Sequence, residues 1–440
     1  MAWRKYLLGL TLMAALAGCS WFDETPEKPL EGERKPVLQQ ADETAAGNAA
    51  APNLAPPRAV TAWPQENASA VQIGVHANFT PTFEQVWDTP IGDGEDGRRI
   101  FTARPVAAEG KIFAMDTSGN VSSLDAVTGK TLWHVSTRRR GEALAGGMAV
   151  NNSVLYLTNG LAQVMALSTQ NGALLWHTDL DSPTRTAPTV SDGKVYAVTR
   201  GDQVYALNAA TGKILWQDHG LQELAGVIAG AAPAADSDMV IVAYVSGELT
   251  ALSPGNGSVL WNDNLAVGRP ENNLATLHDF RTPPALLNDM VLAANFASNT
   301  VGVERRLGDR IWGQNFGALQ PITVSGDTIF MISTNAQLVA LARDTGTKLW
   351  SQALPPPLPK DNDDEPDEDE LRHQRYWYGP LLMNGQLFVI SETGTAQLRD
   401  AKTGNVIKEV KELPIPAENP IILNNMIYWV TTEGELVAYR

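Results

Sequence analysis

A unit of about 40 residues recurs along most of the chain, and few folds can accommodate it. Its clearest copy opens with Ala187-Pro188-Thr189-Val190 and continues through Asp192-Gly193-Lys194-Val195-Tyr196-Ala197-Val198. It then runs through Gln203-Val204-Tyr205-Ala206-Leu207-Asn208 and closes on Thr211-Gly212-Lys213-Ile214-Leu215-Trp216. Apolar and polar residues alternate within each run, as in half-buried strands. The Asp-Gly and Thr-Gly-Lys junctions tolerate the positive φ that tight hairpins need. The closing signature returns with tryptophan at 133, 176, 216, 261, 312 and 350. In Thr403-Gly404-Asn405-Val406-Ile407 it returns without one, and Ile407 is read here as the replacement. Four strands per unit at this period describe the blades of a β-propeller.

Seven copies end at residues 133, 176, 216, 261, 312, 350 and 407. An eighth begins at Asn419-Pro420-Ile421-Ile422 and ends at Leu436-Val437-Ala438-Tyr439 after only three strands. The missing strand has a counterpart far upstream, in Phe83-Glu84-Gln85-Val86-Trp87 followed by Thr89-Pro90-Ile91-Gly92. The expected fold is therefore all-β: an eight-bladed β-propeller of four-stranded antiparallel blades over residues 76–440. An N-terminal strand would complete the last blade and leave no open edge at the closure. The abundance of Gly (37) and Pro (27), with charged residues at only 19%, suits short strands joined by tight turns.

The remaining segments are of other kinds. Arg4 and Lys5, an apolar run from Tyr6 to Leu16 and small residues up to Gly18 read as a signal peptide over residues 1–18. Leu16-Ala17-Gly18-Cys19 resembles the bacterial lipobox, which implies diacylation of Cys19; two or three acyl chains anchor stably where one is marginal. Ser20, in place of aspartate, implies sorting to the outer membrane with the body facing the periplasm. Residues 19–75 are rich in Pro and Ala without a sustained apolar period, and read as a flexible tether. A second irregular stretch, 355–375, carries a nearly continuous acidic run from Asp361 to Glu370 and reads as a solvated loop inserted in the propeller.

The formal net charge of −16 argues against nucleic acid as a partner, and Cys19, the one cysteine, leaves no disulfide or cysteine-rich zinc site. The acidic loop lacks the spacing of a calcium-binding hand. Gly129-Lys130-Thr131 lacks the upstream glycine of a phosphate loop, where Leu124 stands. The six histidines show no helical metal-binding pair. No catalytic residues, metal or cofactor are expected.

The Ala-Leu-x-Ala-x-Thr-Gly-x-x-Leu-Trp units resemble the PQQ-like propeller repeat. Eight of them behind a lipobox resemble the BamB family, the propeller lipoproteins of the outer-membrane β-barrel assembly (BAM) complex. That resemblance implies a scaffold that binds the POTRA region of BamA and other BAM subunits, and that assists the folding of barrel proteins without catalysis. It also leaves room for contact with unfolded outer-membrane proteins by strand addition. In the family the partner surface lies on loops between neighbouring blades. By resemblance it corresponds here to Leu277, Asp279, Phe280 and Arg281 in one loop and to Val227 and Ile228 in the preceding one. Arg281 reverses the charge of a family acidic position, and no arginine follows the loop Leu224–Gly230. PQQ-dependent periplasmic dehydrogenases share the repeat and give the alternative reading, but they commonly carry a vicinal cysteine pair that this chain lacks. A propeller serving as adaptor of another envelope complex is a further alternative.

Overall fold

A computed structural model of the protein describes residues 51–96, 99–137, 145–184, 186–220, 230–265, 280–296, 299–318, 320–355 and 377–440. The predicted signal peptide, Cys19, the first part of the tether and almost all of the acidic loop lie outside these residues. The described strands form eight sheets, one per blade. Blade 1 comprises Val106–Ala108, Lys111–Met115, Asn120–Asp125 and Thr131–Ser136, each antiparallel to the next. Blades 2 to 7 repeat this order over residues 145–179, 189–219, 234–264, 285–314, 323–353 and 377–410. Blade 8 has three consecutive strands, Ile421–Leu423, Met426–Val430 and Glu435–Tyr439, and takes its outer strand from Gln85–Pro90. That strand pairs antiparallel from Gln85 opposite Tyr439 to Pro90 opposite Glu435, which confirms the expected closure.

Burial follows position in the blade. The second and third strands are covered on both faces, so Lys194–Val198 and Gln203–Asn208 read as nearly continuous apolar runs. The outer strand meets solvent along its edge and alternates, as in Leu174–Asp179. A bulge near its start, between Leu174 and Trp176, turns the tryptophan toward the next blade.

The tryptophans join the ring. Each indole N–H donates to a backbone carbonyl of the following blade: Trp133 to Thr169 at 3.0 Å, Trp216 to Pro254 at 3.0 Å and Trp312 to Arg343 at 2.8 Å. The indole also lies flat on the hairpin glycine of that next blade. A Cβ on Gly257 would come within 2.6 Å of the Trp216 ring, and its φ of +75° is one that glycine adopts freely. Together with Trp87, Trp176, Trp261 and Trp350, this latch closes seven of the eight seams.

The seam between blades 7 and 8 is built differently. Register places Lys408, not Ile407, opposite Leu398, as Trp350 stands opposite Ala340; Ile407 is the exposed residue at the bulge. The sequence reading was therefore off by one residue. The third and fourth strands of blade 8 are not consecutive in the chain, so no hairpin glycine is present there to receive an indole. Phe83 supplies the aromatic ring instead, 5.7 Å from Phe388, while the Lys408 ammonium lies 5.1 Å above the Phe83 ring and donates to Thr82 O.

The tether boundary also needs correction. Residues 53–77 are not free chain: they form a belt that runs round the inner strands and touches every blade in turn. Asp327 N donates to Asn53 O in blade 6, Arg58 pairs with the strand end beside blade 7, and Asn424 N donates to Val60 O in blade 8. Trp63 exchanges both backbone bonds with Ala107 of blade 1, and Val150 N of blade 2 donates to Pro64 O. The Gln65 amide brackets Val190 of blade 3, and Ala70 O and Val71 O accept from Ala235 of blade 4 and Leu286 of blade 5. Asn67 reaches Ile322 O of blade 6, and His76–Ala77 then add a parallel strand to Leu382–Met383 of blade 7. Trp63 is 2% exposed and shares one apolar cluster with Val60, Val75, Phe79 and the cores of blades 7, 8 and 1. A segment that draws its hydrogen bonds from eight different blades needs no period of its own, so composition alone made it look like a linker.

Candidate functional site

The inner strands surround the propeller axis, and charged side chains near their N-terminal ends form a largely buried cluster. Arg104 precedes the inner strand of blade 1 and bridges two carboxylates, Glu418 at 3.4 Å and the belt residue Glu66 at 3.6 Å. Arg104 is only 9% exposed and its Nη1 makes no hydrogen bond, so both charge partners are needed to offset its desolvation. Burial pushes the Glu66 carboxyl above the usual range, opposed by Arg104 and reinforced by Glu418. Tyr378, at the start of the inner strand of blade 7, has its hydroxyl pushed up first by burial and then by Glu418 and Glu95, while Arg281 opposes. Glu95 is itself raised by burial, against the stabilising Phe101 N–H at 2.9 Å.

Asp93, Gly94, Glu95, Asp96, Arg99, Thr432 and Glu433 line an open cleft of about 530 Å³ between blades 8 and 1. Arg99 ties it together through Asp96 at 2.7 Å and Asp93 at 3.2 Å. Among the described residues no three His, Cys, Asp or Glu side chains converge as a metal site. His134 and His177, which follow blade tryptophans, are exposed on equivalent outer strands.

The expected partner residues separate in the structure. Val227, Ile228, Leu277 and Asp279 lie outside the described residues. Phe280 is 2% exposed, in the apolar cluster with Trp261, Leu265 and Leu286 between blades 4 and 5. Its ring is packed into that core and is not presented to solvent. Arg281 is half-buried, and its charge acts on Tyr378 at the start of the inner strand of blade 7. The buried cluster of Glu66, Arg104, Tyr378 and Glu418 escaped the sequence reading because it is drawn from segments more than 300 residues apart in the extreme case. One signal was available: Trp63 and the alternation Val71-Gln72-Ile73-Gly74-Val75 are out of character for a solvated tether.

The model of the family described as outer membrane protein assembly factor BamB matches residues 117–352. The protein of that name from Salmonella typhimurium is 28% identical over 344 residues, 77% of this chain and 83% of its own length. Its counterpart from Yersinia pestis is 27% identical over 323 residues, 72% of this chain and 77% of its own. Among solved structures, BamB from Moraxella catarrhalis superposes with a TM-score of 0.68 at 19% identity, covering 82% of this chain and all of that one. A quinohemoprotein alcohol dehydrogenase from Comamonas testosteroni gives 0.63 at 13% identity, covering 86% of this chain and 80% of that one; this is a likeness of fold alone. Repeat spacing, blade closure and a family match over more than half the residues converge: the chain belongs to the BamB family of outer membrane protein assembly factors.

Proposed function

We propose that this protein is a non-catalytic scaffold of the outer-membrane protein assembly machinery, anchored through an acylated Cys19 and facing the periplasm. The observation that carries this reading is the family match together with relatives that bear the assembly-factor name along most of their length. Its direct partner is the POTRA region of BamA, with other BAM subunits nearby. The contact falls on the segments joining blades 3 to 4 and 4 to 5, which contain Val227, Ile228, Leu277 and Asp279. Phe280 serves this surface from beneath, as a buried anchor.

A second surface suits unfolded barrel precursors. The outer strands leave one edge unpaired, and the apolar pairs Leu174–Leu175, Ile214–Leu215, Val259–Leu260 and Val406–Ile407 beside those edges are exposed. An extended apolar strand could add there through main-chain bonds.

The test is purification of the membrane-anchored protein in gentle detergent. Barrel-assembly subunits should co-purify; recovery of none of them sinks the reading. Asp279→Lys should weaken that recovery with the fold intact, and unchanged recovery would remove Asp279 from the contact. Added PQQ and calcium should leave the absorbance spectrum of the purified protein unaltered. A bound-quinone spectrum with alcohol oxidation would favour the dehydrogenase reading instead.

A further inference from the structure

The belt overlaps itself at blades 6 and 7, where its first residues lie beside its last, and His76 sits at the crossing. The ring is 8% exposed. Its Nδ1 lies 2.6 Å from Ala55 O, a carbonyl that can only accept, so Nδ1 carries the proton. Its Nε2 lies 3.0 Å from the amide N of Gly385, which can only donate, so Nε2 is bare. One neutral tautomer therefore joins three pieces: the start of the belt at Ala55, the end of the belt at residue 76, and the first turn of blade 7. Ser325 Oγ of blade 6 stands 3.4 Å from Nδ1 and completes the surround.

A proton on Nε2 would set two N–H groups against each other and bury a charge. The surroundings offer no compensation. The turn beside the ring is Met383-Asn384-Gly385, with no titratable group. The charged residues on the neighbouring elements are Arg58 on the belt, whose backbone N donates to His76 O, Asp327 on blade 6, whose carboxylate accepts from Asn53, and Asp400 and Lys402 on blade 7, where the Asp400 carboxylate accepts from the Lys402 backbone N. None of them is among the causes that shift the imidazole. Burial lowers it from its ordinary 6.5, and the Ala55 bond opposes.

We propose that His76 is an acid-sensitive clasp: protonation of Nε2 breaks its bond to Gly385 and frees the end of the belt from the first turn of blade 7, while the Nδ1–H bond to Ala55 O is kept. The sign follows from linkage. The closed belt resists the proton, while the open belt accepts it at the ordinary value. The clasp is therefore fully effective above pH 6.5 and is lost as pH falls from there through the lowered value of the closed state. Between pH 7.5 and 5.5 the open population should rise, by at most about tenfold.

Hydrogen exchange of the intact protein, corrected for intrinsic pH dependence, tests it. The amides of Asn384 and Gly385, which bond Ala77 O and His76 Nε2, should open more at pH 5.5 than at 7.5, by at most about tenfold. The inner strand Thr189–Ser191 of blade 3 should not change with them. In His76→Gln the rise should vanish. A flat response in the wild type, or a rise that persists in the variant, overturns the clasp. If the variant does not fold, nitrogen resonances of His76 in the wild type decide. A protonated Nδ1, a bare Nε2 and a midpoint below 6.5 support the proposal, and a midpoint at or above 6.5 refutes it.

Discussion

The seam between blades 3 and 4 and the seam between blades 7 and 8 do the same job with different parts. At the first, Trp216 lies on Gly257 and bonds Pro254 O, using two elements that every repeat carries. At the second the hairpin glycine has no counterpart, Lys408 occupies the tryptophan's place, and the aromatic ring comes from Phe83. The belt then crosses this seam between Arg58 and Val60 and adds Trp63 to the shared core. A ring closed by repetition needs one junction where the repetition stops. There the chain uses segments found nowhere else in it, so loss of a latch and loss of the closure should have different consequences.

Trp63→Ala should have the largest effect. It removes a 2%-exposed indole from the cluster joining blades 7, 8 and 1, at a cost of about 3–5 kcal/mol in chemical denaturation. Phe83→Ala should cost less, about 2–3 kcal/mol, because the ring is half-buried. It should also speed proteolysis around Gln85–Pro90 while leaving blades 3 and 4 protected. Trp216→Phe keeps most of the packing but leaves Pro254 O without its donor, at about 1–2 kcal/mol. Its effect should stay local to blades 3 and 4. Smallest is Lys408→Ala, which removes a cation over the half-buried Phe83 ring and should cost about 0.5–1 kcal/mol. Equal effects from Trp216→Phe and Phe83→Ala, spread over the whole ring, would erase the distinction between the two seams.

The latched seams were legible in the sequence because a regularly spaced Gly-x-x-Leu-Trp can mean only one docking geometry repeated. The closing strand was legible for a related reason: Phe83 to Gly92 carries the alternation that the eighth copy lacks. Lys408 was misplaced by one position because the apolar pair Val406–Ile407 resembled the end of the signature, while the bulge that fixes the register leaves no mark in composition. The belt was illegible for a deeper reason. Its order is imposed by eight separate inner strands, so neither helix nor strand periodicity records it. Partner recognition was the least legible: Phe280 looked like a contact residue by resemblance, and only its burial between blades 4 and 5 shows it to be an anchor.

The central claim, that the ring is closed by seven repeated latches and one belt-reinforced seam, is tested most directly by native-state hydrogen exchange on the intact protein and on Trp63→Ala. The expected result is a loss of protection confined to Gln85–Pro90, Val106–Ala108, Trp377–Met383 and Ile421–Tyr439, with Lys194–Val198 and Val240–Ala243 unchanged. A uniform loss through all eight blades, or no loss at the 7–8 seam, would contradict it.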